Sequence, residues 1–333
     1  MKNGKEKIKK LLKIIKKDYP VETFFIISNL INGLIIRIVT VKNGLFISPL
    51  LVDLGFLILV SLLSLLIKKE KRIRYFITLS IIFNIVCIVN SIYYHYYSSF
   101  ASISLIANIT FASDVSDAIV ENVLKAVDLI YIWQTITLVI IYKKTNKKEY
   151  IKHKENKKKL VKTGLITSLS LFAVAALFMP LNAWSRLYNL WNRESVVMNH
   201  GIYVYQLDDF IQSLTPKITS VLGHDKALKK VTDYYKENKY TPSNNEYTNI
   251  FKGKNIIVIH AESMQKFAMD LTFNNKEVTP NLNKLANEGI FFSNFYSQVG
   301  VGTSSDAEFT FNTSLMPSTK GTVFVNYFDR DYI

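Results

Sequence analysis

Long apolar runs separated by lysine-rich segments most restrict what this chain can fold into. Five runs are long enough to cross a hydrocarbon core as a helix, which takes about 20 residues. Their approximate bounds are 23–41, 46–67, 75–97, 126–142 and 164–181, and the fourth is the shortest. The pattern predicts an α-helical membrane domain of five spans over residues 1–182.

The positive charge of the chain lies mostly between these runs. Its formal net charge of +15 is also typical of nucleic-acid-binding proteins. The position of the charge along the chain distinguishes nucleic-acid binding from membrane topology. Basic residues concentrate before the first run, in 68–74 and in 143–162, whereas 98–124 has no Lys or Arg. Basic loops stay on the cytoplasmic side of a cell membrane. We therefore expect an inside N-terminus, an extracellular C-terminal part after about Pro180, and no nucleic-acid partner.

Four polar residues interrupt the first two runs: Asn29, Asn32, Arg37 and Asp53. Polar groups inside spans can mark functional sites. Arg37 and Asp53 lie near the predicted outer ends of their spans, where such side chains can reach the lipid headgroups. We expect this second explanation to hold for both.

Residues 183–250 are predicted to form an extracellular, juxtamembrane helical linker. Trp184, Tyr188 and Trp191 suit the aromatic belt at the outer membrane surface. The lysine- and asparagine-rich residues towards position 250 are typical of an exposed loop.

A soluble α/β pattern begins near Asn255. The short apolar run 256–261 predicts a buried strand, and Glu262 follows directly at its carboxyl end. A helix is predicted over 279–289, with Thr279 as its N-cap. Parallel sheets build their sites at the carboxyl ends of strands, so Glu262 is a candidate site residue.

A second predicted strand, 290–299, leads into the loop "GVGTSS" and then into a helix that starts near Ser305. Strand, helix, strand and helix are the opening of a doubly wound domain. We therefore predict the first βαβα portion of an α/β domain over residues 251–333.

The loop between this strand and helix has the composition of a phosphate site. Gly300 and Gly302 allow the backbone to approach a ligand closely, and a helix N-terminus favours an anion. A divalent cation held partly by Glu262 would activate a hydroxyl of the loop, and oxygen ligands favour Mg²⁺ or Mn²⁺.

Purely structural roles are open for the same residues. Ser304 and Ser305 are common N-cap residues, and Glu262 suits a surface residue that caps the following helix. Asp306 and Glu308 complement a helix dipole in the first turn. His260, on the apolar run, is expected in the core rather than at a metal.

Three segments together resemble a known family. "NIIVIHAES" (255–263), "EVTPNLNKLANEG" (277–289) and "GVGTSSDAEFTFNTSL" (300–315) resemble the lipoteichoic acid synthases, which are phosphoglycerol transferases of the alkaline phosphatase and sulfatase superfamily. A five-span membrane domain followed by an external enzyme domain also matches this family. The α/β portion is therefore expected to be alkaline-phosphatase-like.

The resemblance implies a reaction and its site residues. Glycerol phosphate would pass from phosphatidylglycerol to a growing glycerophosphate polymer, through a covalent intermediate and with Mn²⁺ or Mg²⁺ as cofactor. The family's metal-binding Glu matches Glu262, and its nucleophile, also a metal ligand, lies two positions before the Asp that matches Asp306. This register favours Ser304 as nucleophile, and a shift of one residue gives Thr303.

The family's further metal ligands and substrate-binding residues are expected beyond residue 333, so this chain is expected to hold part of an active site. Two other functions stay open. One is a related phosphoethanolamine transferase or sulfatase. The other is a non-catalytic, truncated membrane module that binds lipid or a synthase partner.

Overall fold

A computed structural model describes most of the chain. The described residues are 19–42, 44–103, 125–144, 156–189, 192–239, 241, 243–300, 302–318 and 322–327. The chain divides into two compact units, Met1–Ser213 and Leu214–Ile333. Where it is described, the first unit is built from helices, and the second adds one small sheet.

Four helices among the described residues are long and apolar enough to cross a membrane. They are α1 (Pro20–Thr40), α2 (Ile47–Leu63, extended by a 3₁₀ turn at Ser64–Leu66), α3 (Lys69–Tyr97) and, after a shorter helix α4, α5 (Lys157–Leu177). Pro20 starts α1 with a backbone angle that is already helical. Asn156 caps α5 by accepting a hydrogen bond from the Lys159 N–H. These helices coincide with four of the five predicted spans.

The remaining predicted span, 126–142, is not one continuous α-helix. It consists of a 3₁₀ helix, Ala126–Ile132, followed by α4 (Trp133–Lys144). Asp128 explains the irregular start, because its carboxylate accepts hydrogen bonds from the Lys125 N–H and the Ser91 hydroxyl. The twelve residues of α4 extend about 18 Å and the seven 3₁₀ residues add about 14 Å, so only the two pieces together reach the thickness of a hydrocarbon core, about 30 Å. Both pieces pack against α3, and α4 also packs against α1.

Aromatic and aliphatic side chains from α1, α2 and α3 form the core of the first unit. The Phe25 and Phe76 rings lie 4.9 Å apart, and the Phe83 and Tyr203 rings lie 4.7 Å apart. Tyr203 belongs to a helix that follows the membrane spans in sequence. The core therefore includes part of the predicted linker.

A buried polar network crosses the same core. The Asn32 amide donates to Gln134 Oε1 at 2.7 Å, to the Tyr131 carbonyl at 3.1 Å and to Asn84 Oδ1 at 3.2 Å. Trp133 Nε1 donates back to Asn32 Oδ1 at 2.9 Å. In an apolar medium such groups need partners inside the protein. The network thus connects α1 to α3 and α4.

The prediction that Arg37 and Asp53 reach the headgroups is wrong, because both side chains are fully buried. Helical side chains lean towards the N-terminus of their helix, and Arg37 Nε accordingly donates to the Gly33 carbonyl one turn back at 2.9 Å. Asp53 lies between two glycines. A Cβ on Gly33 would be 2.9 Å from its Oδ2, and a Cβ on Gly201 would overlap its Oδ1.

Three helices follow α5 at the end of the bundle: α6 (Ala183–Asn189), α7 (Arg193–His200) and α8 (Ile202–Leu222). Polar contacts hold the first half of α8 to α1 and to the segment that follows α3. The Tyr203 hydroxyl donates to the Asn29 carbonyl and the Tyr205 hydroxyl to the Ala101 carbonyl, each at 2.8 Å. The start of α8 is therefore an integral part of the first unit.

The second unit begins within α8 and continues with α9 (His224–Glu237). After a 3₁₀ turn at Lys266–Ala268, strands β1 (Thr272–Phe273) and β2 (Lys276–Glu277) pair as an antiparallel hairpin. Asn274 and Asn275 between them both have positive φ, as a tight two-residue hairpin turn requires.

The two predicted strands, 256–261 and 290–299, are not formed. Both segments lack strand structure, and their apolar side chains are exposed except for the half-buried Val299; Ile257, for example, is 87% exposed. A buried strand needs neighbouring strands and a covering layer. Among the described residues, the only sheet is the short hairpin, so neither segment has such a neighbour. His260 is likewise exposed, so the prediction that it lies in the core is wrong.

Both predicted helices of the second unit are formed. The first, α10, spans Pro280–Glu288 and follows Thr279, and the second, α11, spans Ser304–Thr313. A short helix, α12 (Val323–Asn326), packs against α11 through the Phe309 and Phe324 rings. This contact supports the helix that begins at the hydroxyl-rich loop.

Candidate functional site

The loop before α11 is held by a buried carboxylate. Asp306, in the first turn of α11, is fully buried. Its Oδ2 accepts hydrogen bonds from the Gly300 N–H at 2.9 Å and from the Gly302 N–H at 2.8 Å. One side chain therefore ties the loop to the start of the helix.

Glycine is required at both of these positions by close packing. A Cβ on Gly300 would lie 2.7 Å from the Ser318 carbonyl oxygen, and a Cβ on Gly302 would overlap Asp306 Oδ1. Any side chain there would displace the loop from Asp306.

Thr303 adopts a backbone conformation that is rare for a β-branched residue. Its φ is 49° and its ψ is −115°. Non-glycine residues with positive φ are strained, and such strain concentrates at functional sites. The conformation forms a sharp turn directly before α11, and Thr303 itself is exposed.

Ser304 is the first residue of α11, and its hydroxyl donates to Glu262 Oε1 at 2.9 Å. The structure thus brings together two of the three predicted site residues from positions 42 apart in sequence. Thr303 is adjacent, but within the described residues its hydroxyl has no hydrogen-bond partner. Of the two candidate hydroxyls, that of Ser304 is the one that contacts Glu262 among the described residues.

The N-terminus of α11 is only partly available to an anion. The Ser305 and Asp306 N–H groups donate to the Gly302 and Thr303 carbonyls, each at 3.1 Å. The Ser305 hydroxyl also donates to the Gly302 carbonyl. Ser305 is therefore a turn-stabilising residue, whereas Ser304 points its hydroxyl at a carboxylate.

Glu262 and Ser304, the two predicted metal ligands, each place an oxygen atom at this contact. Carboxylate and hydroxyl oxygens suit a hard cation such as Mg²⁺ or Mn²⁺. No group of three or more His, Cys, Asp or Glu residues with metal-ligand geometry occurs in the described part of the chain. The pair alone provides fewer ligands than either ion takes.

Sequence reasoning missed the role of Asp306. Its position in a first helical turn predicted only an interaction with the helix dipole. Two glycines at four and six residues before an Asp are the available signal, since their N–H groups can both reach one carboxylate oxygen. Glu308 is exposed on the next turn of α11.

The fold and this loop define a multi-helix membrane protein with a partial sulfatase-like domain. Two family models agree. The model of the lipoteichoic acid synthase N-terminal domain matches residues 5–222, and the sulfatase model matches residues 254–330. The first match covers more than half of the 333 residues. The chain belongs to the lipoteichoic acid synthase family.

Curated relatives are similar over most of the chain. Lipoteichoic acid synthase 2 of Bacillus subtilis (strain 168) is 32% identical over 288 residues, which are 86% of this chain and 43% of that protein. Lipoteichoic acid synthase of Staphylococcus saprophyticus is 30% identical over 270 residues, 79% of this chain and 41% of that protein. The chain thus spans less than half the length of these relatives. No solved structure matches it.

Proposed function

We propose that this chain carries the nucleophile of a phosphoglycerol transferase, which moves glycerol phosphate from phosphatidylglycerol to a glycerophosphate polymer. The observation that carries the proposal is the 2.9 Å hydrogen bond from the Ser304 hydroxyl to Glu262 at the start of α11. Membership of the lipoteichoic acid synthase family and the sulfatase match over 254–330 support it.

In the first step, Ser304 Oγ attacks the phosphorus of the lipid headgroup. The bond from phosphorus to the diacylglycerol oxygen breaks, and this oxygen takes up the proton that the Ser304 hydroxyl gives up, so diacylglycerol leaves as an alcohol. Glu262 accepts the hydrogen bond of the Ser304 hydroxyl and so orients the oxygen for attack. In the second step, a hydroxyl at the end of the polymer attacks the same phosphorus, and Ser304 regains its proton.

Glu262 and Ser304 would be the residues of this unit that hold Mn²⁺ or Mg²⁺. A bound divalent cation lowers the pKa of a coordinated hydroxyl and offsets the phosphate charge. The remaining ligands would come from residues outside the described set. Asp306 contributes by keeping the loop, and hence Ser304, in place.

We also propose the finer arrangement of the protein in the cell membrane. Residues 126–142 complete a fifth crossing within the membrane domain 1–182, with the N-terminus cytoplasmic. The linker 183–250 and the α/β domain 251–333 are extracellular. Within a complete sulfatase-type sheet, 256–261 and 290–299 would pair as strands and bury the apolar side chains that are now exposed.

The nucleophile is tested in a chimera in which this chain replaces the matching N-terminal part of Bacillus subtilis lipoteichoic acid synthase 2. Release of diacylglycerol from labelled phosphatidylglycerol is measured with Mn²⁺. Ser304→Ala removes the attacking oxygen and should lower the rate by at least about a thousandfold. Thr303→Ala should cost less than about tenfold, because its hydroxyl lacks the contact with Glu262.

Ser314→Ala is the matched control, since this exposed hydroxyl lies beyond the other end of α11. Its rate should stay within about twofold of the parent chimera. If Thr303→Ala abolishes release and Ser304→Ala does not, the register is shifted by one residue. If neither variant changes release in an active chimera, the proposed nucleophile is wrong.

Glu262 is tested through the metal dependence of the same chimera. Glu262→Gln keeps the size of the side chain but removes its charge, so half-maximal activity should need at least about tenfold more Mn²⁺. Glu308→Gln, an exposed carboxylate on α11, is the control and should not shift the curve. An unchanged Mn²⁺ curve for Glu262→Gln would exclude it as a ligand.

The donor lipid decides between the related functions. Phosphatidylethanolamine as the preferred donor would indicate a phosphoethanolamine transferase, and hydrolysis of a sulfate ester would indicate a sulfatase. A chimera that folds and binds lipid but transfers nothing would favour the non-catalytic membrane module.

A further inference from the structure

A pocket of about 360 Å³ lies beside α6 and the start of α7 in the first unit. Its lining residues are Ser185, Arg186, Asn189 and Asn192. The described lining thus consists of one arginine, two asparagines and one serine. The guanidinium and the two amides can donate hydrogen bonds, whereas the Ser185 hydroxyl already donates to the Asn182 carbonyl at 3.0 Å and can still accept one. The pocket therefore suits a ligand that carries both acceptor oxygens and hydroxyl groups.

Among the described residues, the guanidinium of Arg186 has one hydrogen-bond partner. Its Nη1 donates to the Ser195 hydroxyl at 2.6 Å, and no carboxylate among the described residues pairs with it. Glu194, the nearest carboxylate in sequence, instead accepts a hydrogen bond from the Tyr94 hydroxyl at 2.7 Å. A half-buried cation beside a cavity, without a protein anion, favours an anionic ligand.

The position of the pocket along the chain places it at the level of lipid headgroups. The apolar helix α5 ends at Leu177, nine residues before Arg186. Trp184 and Tyr188, on the same helix as Arg186, are 53% and 58% exposed. Aromatic residues at the end of a span settle at the boundary between hydrocarbon and water. At such a level, the anion that Arg186 would meet is a phosphate of the lipid surface.

We propose that this pocket binds the headgroup of an anionic phospholipid that carries free hydroxyls. Arg186 binds the phosphodiester, and the amides of Asn189 and Asn192 and the Ser185 hydroxyl bond to the headgroup hydroxyls. Asn192 Oδ1 already accepts the Ser195 N–H at 2.8 Å, so its NH₂ group is the part of the amide left to bond to a ligand. This inference rests on the proposed function in one respect: phosphatidylglycerol, the proposed donor, has this headgroup chemistry.

The test titrates the detergent-solubilised chain with short-chain dihexanoyl phosphatidylglycerol and follows binding by calorimetry. Saturable binding should weaken by at least about tenfold in Arg186→Gln, because a charge-assisted hydrogen bond to phosphate is lost. Arg186→Lys keeps the charge but not the two parallel N–H groups, so its affinity for the lipid should lie between those of the unmodified chain and Arg186→Gln. Lys158→Gln removes an equal charge at the far end of α5 and should bind like the unmodified chain.

Two further ligands identify the source of the phosphate and the selectivity. Dihexanoyl phosphatidylcholine should bind at least about tenfold more weakly, because its headgroup lacks hydroxyls and places a cation near Arg186. Free glycerol 1-phosphate should bind more weakly than the short-chain lipid. Equal or tighter binding of glycerol 1-phosphate would mean that the pocket takes a soluble phosphate ester, which overturns the lipid proposal.

Equal weakening by Arg186→Gln and Lys158→Gln would show non-specific charge attraction, and no weakening by Arg186→Gln would also overturn the proposal. If Arg186→Gln fails to fold, Asn189→Leu tests the pocket instead, since it removes one amide and fills the cavity. Lipid binding should then weaken, and unchanged binding would overturn the proposal. The assay involves no turnover, so it distinguishes failure of the proposed function from failure of the proposed lipid pocket. Binding without transfer in the chimera contradicts the proposed function alone, and transfer without loss of binding in Arg186→Gln contradicts the pocket alone.

Discussion

The two units of this protein differ in how deeply they bury the side chains that interact. In the first unit, polar groups such as Asn32 and Asp53 are fully buried and lie among partners or close-packed glycines. In the second unit, Glu262 and the apolar run that precedes it are exposed. Helices satisfy their own backbones and can complete a core between neighbours, whereas a strand needs an adjacent strand before its side chains can be buried.

The largest expected effect contrasts one glycine from each unit. Gly201 has φ +80° and ψ 168°, a conformation close to glycine-only, and a Cβ there would overlap Asp53. Gly201→Ala should lower the free energy of unfolding by about 3–5 kcal/mol, measured by thermal unfolding in detergent. Gly253 also has positive φ, but nothing lies within 4 Å of its would-be Cβ.

Gly253→Ala is therefore the matched control, with an expected cost of about 1–2 kcal/mol from backbone strain alone. Equal losses for the two variants would mean that the slot around Asp53 contributes nothing beyond the backbone angle. The difference between the tightly packed glycine of the first unit and the unpacked glycine of the second would then have no effect on stability.

A smaller effect is expected at the loop before α11 in the second unit. Asp306→Ala removes the acceptor of the Gly300 and Gly302 N–H groups, which should destabilise the loop locally by about 1–3 kcal/mol. Hydrogen exchange at these two amides should accelerate by about tenfold or more. Exchange unchanged from the parent would show that the loop is held by contacts other than Asp306. Glu308→Ala, on the exposed side of α11, is the control.

The smallest effect is a pH dependence of the first unit. Burial lowers the pKa of His200, in α7, below its ordinary value. The unfolded chain therefore binds this proton first, and stability falls as the pH drops from about 7 through 6.5 towards the lower folded pKa. His200→Gln should remove that part of the slope between pH 8 and pH 5, measured as the change in melting temperature.

Burial also raises the pKa of Asp208 and of Asp209 on α8, which gives these carboxyls the opposite pH dependence in acid. Their contribution is common to the parent and the His200→Gln variant, so the difference between the two curves isolates His200. Parallel curves would indicate that His200 is protonated as readily in the folded protein as in the unfolded chain.

Much of the helical structure is readable from sequence. Four spans follow from apolar length alone, and Thr279, Pro280 and Gly289 mark the bounds of α10. The 3₁₀ start of the segment 126–142 is not predictable from sequence, because it depends on the hydrogen bond that Asp128 accepts from a side chain of another helix. Such a contact joins residues far apart in sequence and leaves no local pattern.

The candidate site likewise has features that the sequence predicts and features that only the structure shows. Glu262 and the hydroxyl loop were predicted from their positions after apolar runs, and the choice between Ser304 and Thr303 depended on register alone. The contact between Ser304 and Glu262 gives that choice a geometric basis. The strands expected at 256–261 and 290–299 did not form, since a parallel sheet is a property of several strands together and not of one run.

The sequence by itself determined the membrane-spanning character, the order of the helices and the residue types of the loop, because hydropathy and helix capping act over short distances. The tertiary structure decided what those residues meet. Arg37 and Asp53 are buried because α1 directs one side chain inwards and Gly201 covers the other. Asp306 holds a loop, and Ser304 meets a carboxylate 42 residues away, because folding brings together groups whose separation along the chain carries no signal of their contact.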